Sequence, residues 1–199
     1  MITTTGITPR AVAVYCASAK DLDPAILEAG RTIGMGLAQA GCSLIYGGTT
    51  CGLMGIVATA CKQTGGRVIG VIPRFLVEKG IGAMDNDESV LVADMRSRKA
   101  EMEERAGAFI VLPGGFGTFD ELFEIIALKQ LRLHDKPIVL VNVNGFYEPM
   151  LSMLRHCAQN GTIRHEYLGL VEVAATGGEA VRLATMQREK TMMYPEKPG

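Results

Sequence analysis

A surplus of charge of one sign is the first thing missing. Lys and Arg number 20 and Asp and Glu 21 in 199 residues, leaving a formal net charge of −1. So balanced a chain has no bulk attraction to nucleic-acid backbones or anionic lipid, and neither partner is expected. Long apolar runs are missing too, every one being far shorter than the ~20 residues that span a bilayer. The opening "MITTTGITPR" has no basic head leading into an apolar stretch. It does not read as a signal peptide, and the protein is expected in the cytoplasm. Metal-ligand spacing is absent as well. Cys16, Cys42, Cys51, Cys61 and Cys157 form no CxxC pair, and His134, His156 and His165 form no HExxH. No metal is expected, and an odd set of thiols in an intracellular chain reads as buried or incidental.

What is present is an alternation. Apolar residues make up 48% of the chain, enough for one domain with a sizeable core. β-rich runs, "RAVAVYC", "CSLIY", "GRVIGVI", "AFIVL", "PIVLVN" and "LGLVEVA", are separated by stretches with helical spacing. The first helix, Pro24–Ala40, has Asp23 as N-cap, a Pro in its first turn and Gly41 as its stop. Helices are also expected at Gly52–Thr64, within "SVLVADMRSRKAEMEERA", at Thr118–Leu133, at Glu148–Gln159 and near Gly178–Arg188. Pro73–Glu88 reads as irregular. Continuous apolar strands alternating with helices predict one doubly wound α/β domain: a parallel sheet of six or seven strands, helices on both faces, over residues 10–189. Residues 1–9 and 190–199 are expected to be flexible.

In such a sheet, ligands sit beyond the carboxyl ends of the strands. Three loops there stand out: "YCASAKD", "YGGTTCGLMG" and "PGGFGT". In the third, Gly114, Gly115 and Gly117 let a ligand approach the backbone, and the helix that follows offers unpaired N–H groups to an anion. Thr118 would cap that helix or give its hydroxyl to the anion. The loop is neither a dinucleotide fingerprint nor a Walker loop, so a mononucleotide or sugar phosphate is expected.

Asp120, Glu121 and Glu124 follow within a turn or two. Glu121 has two readings. With Thr118 it resembles a capping box. Alternatively, it faces a sugar beyond the phosphate, where a carboxylate can offset oxocarbenium charge or activate water. Arg96, Arg98 and Lys99 open the preceding helix at the same sheet edge. Arg98 stays protonated, so its expected work is electrostatic: gripping phosphate or leaving group, or orienting Glu121.

"PGGFGTFDE", "MRSRKAEM" and "YGG…GLMG" together resemble the LOG ("Lonely Guy") family of cytokinin-activating phosphoribohydrolases, over about Arg10 to Arg188. The resemblance implies hydrolysis of the N-glycosidic bond of adenosine 5′-monophosphate, often N6-modified, to base and ribose 5-phosphate. It implies no metal or organic cofactor, and a homodimer or larger assembly. It makes Arg98 and Glu121 the catalytic pair. It places Ser18, Gly47, Gly48, Met95, Lys99, Gly114, Gly115, Gly117, Thr118 and Asp120 around the substrate. Many members carry the older label lysine decarboxylase, yet no feature here seats pyridoxal phosphate on a lysine. The chain departs from the family at Thr49 (a third glycine in many members), at Ala17-Ser18-Ala19 (Gly-Ser-Ser), at Gly80 (an acid) and in "IALKQL". Those positions bear on base preference and assembly. The rival expectation is a nucleotide-binding sensor or cofactor carrier on the same scaffold.

Overall fold

A computed structural model describes residues 11–82 and 85–186; the expected flexible ends, 1–9 and 190–199, lie outside them. Among the described residues, seven strands form one parallel sheet. They are β1 (Ala11–Tyr15), β2 (Ser43–Tyr46), β3 (Val68–Pro73), β4 (Glu88–Val92), β5 (Ala108–Val111), β6 (Ile138–Val141) and β7 (Glu172–Ala174). Their order is β4-β3-β2-β1-β5-β6-β7. The helices are α1 (Pro24–Gln39), α2 (Gly52–Gln63), α3 (Arg74–Glu78), α4 (Met95–Arg105), α5 (Phe116–Gln130), α6 (Glu148–Gln159) and α7 (Gly177–Thr185).

The apolar runs explain the architecture. "AFIV" of β5 and "IVLV" of β6 are buried at every position, as a strand covered on both faces must be. Side chains then alternate between two cores. Val12, Val14, Leu44 and Ile110 meet Ile33 and Leu37 of α1, Leu53 and Val57 of α2, and Ala180 of α7. Ala13, Tyr15, Ile45, Phe109 and Val111 meet Met102 of α4, Leu122 and Ile125 of α5, and Met150 of α6. Each large aliphatic buried this way contributes ~1.5–3 kcal/mol. Asp23 caps α1 as expected, accepting the Ala25 N–H at 2.7 Å.

Three expectations need correction, and one helix start that was left open is settled. Residues 88–92 are an edge strand, in register with β3 from Ile69 opposite Glu88 to Pro73 opposite Val92. Four apolar-rich residues suit either period, and the open edge of β3 decides between them. α4 starts only after Asp94, whose carboxylate accepts the Ser97 N–H at 2.8 Å and its hydroxyl at 2.9 Å. Of "LGLVEVA", only Glu172–Ala174 is strand; its first three residues end a 3-10 helix, His165–Leu170. The stretch expected to be irregular holds the short α3.

Candidate active site

The chain lays down β1, moves outward through β2, β3 and β4, then crosses back to add β5, β6 and β7 on the other side. The loops after β1 and β5 therefore part, which opens a crevice at the carboxyl edge. Backbone bonds close its floor: Tyr15 O accepts the Leu112 N–H at 2.9 Å, and Pro113 O accepts the Ala17 N–H at 3.2 Å. A cavity of about 230 Å³ lies above, bordered by the end of β1, the Gly47 loop, α4 and the first turns of α5.

α5 begins two residues earlier than expected, at Phe116. Gly115 precedes it and no side chain caps it. Thr118 is therefore inside the helix, and neither the Thr118 cap nor its capping box with Glu121 forms. Instead Thr118 is buried over Gly114, where a Cβ would come within 2.1 Å of the threonine Oγ1. Gly115, Phe116, Gly117 and Thr118 all line the cavity. A helix start without a side-chain cap, open to a cavity, is a seat for an anion.

Glu121 turns inward, one turn deeper. It is 7% exposed, and its partner Arg98 is 8% exposed. Arg98 Nη1 donates to Glu121 Oε1 at 3.3 Å, and Arg98 Nε donates to the Val71 carbonyl of β3 at 3.2 Å. The guanidinium fits because position 47 has no side chain: a Cβ there would lie 1.9 Å from Arg98 Nη2. Burial pushes the Glu121 carboxyl up to about 7, against the pull of Arg98. Burial, then Glu121, also pushes the Tyr15 phenol and the Cys16 thiol well above their usual ranges, so both are neutral near pH 7.

Of the expected site residues, the cavity gathers Ser18, Gly47, Arg98, Gly115, Gly117, Thr118 and Glu121. Gly48, Met95, Lys99, Gly114 and Asp120 stand outside its lining. Gly48 packs on Ile72 of β3, and Met95 is exposed at the start of α4. Lys99 Nζ lies 3.0 Å from Asp120 and 3.0 Å from Glu124. Tyr15, Cys16, Met54, Met102 and Phe116 also line the cavity and were not anticipated. Met102 carried a signal: it lies one helical turn after Arg98, on the same face. Phe116, inside the glycine loop, is 96% exposed.

Fold and cleft together define a doubly wound α/β protein with an uncapped helix start and a buried carboxylate–guanidinium pair in one crevice. The model of the family described as possible lysine decarboxylase matches residues 54–184. A probable cytokinin riboside 5′-monophosphate phosphoribohydrolase, LOGL2 of Oryza sativa subsp. japonica, is 41% identical over 172 residues, 86% of this chain and 70% of that one. The cytokinin riboside 5′-monophosphate phosphoribohydrolase LOG5 of Arabidopsis thaliana is 41% identical over 155 residues, covering 78% and 68%. The chain belongs to this family, that of the LOG phosphoribohydrolases. Among solved structures, the molybdenum cofactor binding protein of Rippkaea orientalis superposes with a TM-score of 0.68 at 17% identity, over 89% of this chain and 96% of that one. The Moco carrier protein of Chlamydomonas reinhardtii gives 0.67 at 22% identity, over 87% and 94%. Those two likenesses concern the fold.

Proposed function

We propose that the protein hydrolyses the N-glycosidic bond of adenosine 5′-monophosphate, in its N6-modified or plain form, to free base and ribose 5-phosphate. The observation that carries this reading is the buried Arg98–Glu121 pair, 3.3 Å apart, one turn below an uncapped helix start. In this reading the phosphate rests on the first turn of α5, and Gly115 and Gly117 let it approach the backbone. The ribose then lies over Glu121. As the C1′–N9 bond lengthens, positive charge grows on the sugar, and the carboxylate offsets it. With its carboxyl near 7, Glu121 can also take a proton from the attacking water. Arg98 holds Glu121 in place and steadies the negative end of the substrate. Ser18 and Gly47 border the ribose and base, Gly48 and Met95 lie outside the cavity lining, and Gly114 and Thr118 shape the phosphate turn. The names of the relatives support the substrate class. We further read residues 10–189 as one catalytic domain, acting in the cytoplasm as a homodimer or larger assembly. Large apolar side chains left exposed, such as Leu131 and Leu133, suit assembly.

The family model's description would call for pyridoxal phosphate held on a lysine. Among the described residues no lysine lines the cavity, and the nearby Lys99 is taken up by two carboxylates, so the residues present do not fit that cofactor.

The test is to separate products after mixing the protein with adenosine monophosphate or its N6-isopentenyl form. Free base and ribose 5-phosphate are expected, with kcat at least about a hundredfold lower in Glu121→Gln. Binding without product would move the protein to the carrier class. For the wild type, kcat/KM should climb about tenfold per pH unit up to about 7 and level off above, because the ionised carboxylate does the work. A flat profile between pH 5 and 8 would remove the proton-accepting role.

A further inference from the structure

Arg98 and Lys99 are consecutive on α4, and Asp120 and Glu121 are consecutive on α5. Successive helical residues point ~100° apart. One member of each pair therefore faces the cavity while the other faces the seam between the helices. In that seam Lys99 is nearly covered, its side chain 14% exposed, whereas Asp120 and Glu124 are 61% and 43% exposed. The ammonium touches both carboxylates at 3.0 Å. A lysine so placed has its charge satisfied by the protein before any substrate arrives. It also joins the two helices that must bring Arg98 and Glu121 together.

We propose that Lys99 is a positioning residue: by clamping Asp120 and Glu124 across the seam between α4 and α5, it holds Glu121 against Arg98 and shields Glu121 from its two acidic neighbours. The proposal rests on the reading of Glu121 as the working carboxylate. It replaces the expected role of Lys99 as a substrate ligand.

The groups around Glu121 make the electrostatic part explicit. From α4, Arg98 and Lys99 favour its ionised form. From its own helix, Asp120 and Glu124 oppose it. From β1, Tyr15 and Cys16 are neutral near pH 7 and bring no charge. Lys99 itself stays cationic: burial works against its charge, but hydrogen bonds to Asp120 and Glu124 hold it above the ordinary lysine value. Removing Lys99 deletes one favourable charge and leaves two unfavourable ones uncovered, so Glu121 should hold its proton to higher pH.

The experiment compares Lys99→Met and Lys99→Arg with the wild type in two ways. In kinetics, Lys99→Met should lower kcat/KM severalfold near pH 6 and by less than about twofold near pH 8.5, its acidic limb having moved upward. Lys99→Arg should restore the limb, and so should adding Asp120→Asn and Glu124→Gln to Lys99→Met. In ligand-free protein, ¹³C NMR of labelled glutamates, with Glu121 assigned from Glu121→Gln, should show the same upward movement. Three results would overturn the proposal: an unmoved Glu121 titration, an equal loss of activity at every pH, or a rise confined to KM. The last would return Lys99 to substrate binding. If the wild type releases no base but the titration moves as expected, the hydrolase reading fails while the clamp stands.

Discussion

Two glycine loops leave the strands on either side of β1, and they use glycine in opposite ways. In the loop after β2, space is taken by the protein itself. Gly47 is empty of side chain because the Arg98 guanidinium lies where a Cβ would be, and Gly48 is pressed against Ile72 and the backbone of β3. In the loop after β5, Gly115 and Gly117 have nothing within 4 Å of a Cβ position. The division recurs inside that second loop, where Gly114 is closed over by Thr118. A glycine can make room for a working side chain or leave room for a ligand, and "GG" in a sequence does not distinguish the two. In the proposed reading, the loop after β2 makes room for Arg98 and the loop after β5 leaves room for the substrate.

Substitution should separate the two loops. Gly47→Ala is the larger perturbation, since its new methyl meets Arg98 Nη2 at 1.9 Å. Overpacking of this kind costs ~1–3 kcal/mol, and displacing a working group by an ångström costs roughly a hundredfold in rate. Urea denaturation and kcat/KM should both fall accordingly. If Gly47→Ala keeps full activity, Arg98 does not depend on this seat. Gly117→Ala should do the reverse to the fold. The position is helical and open, so alanine should raise stability by ~0.5–1 kcal/mol. Calorimetry with ribose 5-phosphate should nonetheless show weaker binding, because the methyl stands where the phosphate approaches. Unchanged binding would place the phosphate elsewhere, and lower stability would mean the space is not open.

Much of this arrangement was legible beforehand. The β-rich runs and the helical spacing of α1, α2 and α6 predict the doubly wound sheet. Arg98 and Glu121, 23 residues apart, could be assigned to one edge because helices between parallel strands all start there. What was missed has local causes. β4 hides in an apolar stretch that suits a helix equally well, and only its pairing with β3 makes it a strand. Thr118 has the residue type of a cap, but Gly115 already stops the extended backbone and the helix starts without it. The partners of Lys99, beside Arg98 in sequence, were not legible either. Its ion pairs with Asp120 and Glu124 depend on how α4 lies against α5.

The sequence by itself determined the layers, the sheet edge that carries the site and the residues available to it, because periodicity and chain direction are properties of the backbone. The tertiary structure alone decided which charges meet in the cavity and which meet in the seam. Neighbours on a helix differ by a ~100° turn, and only packing against the sheet says which of them faces inward.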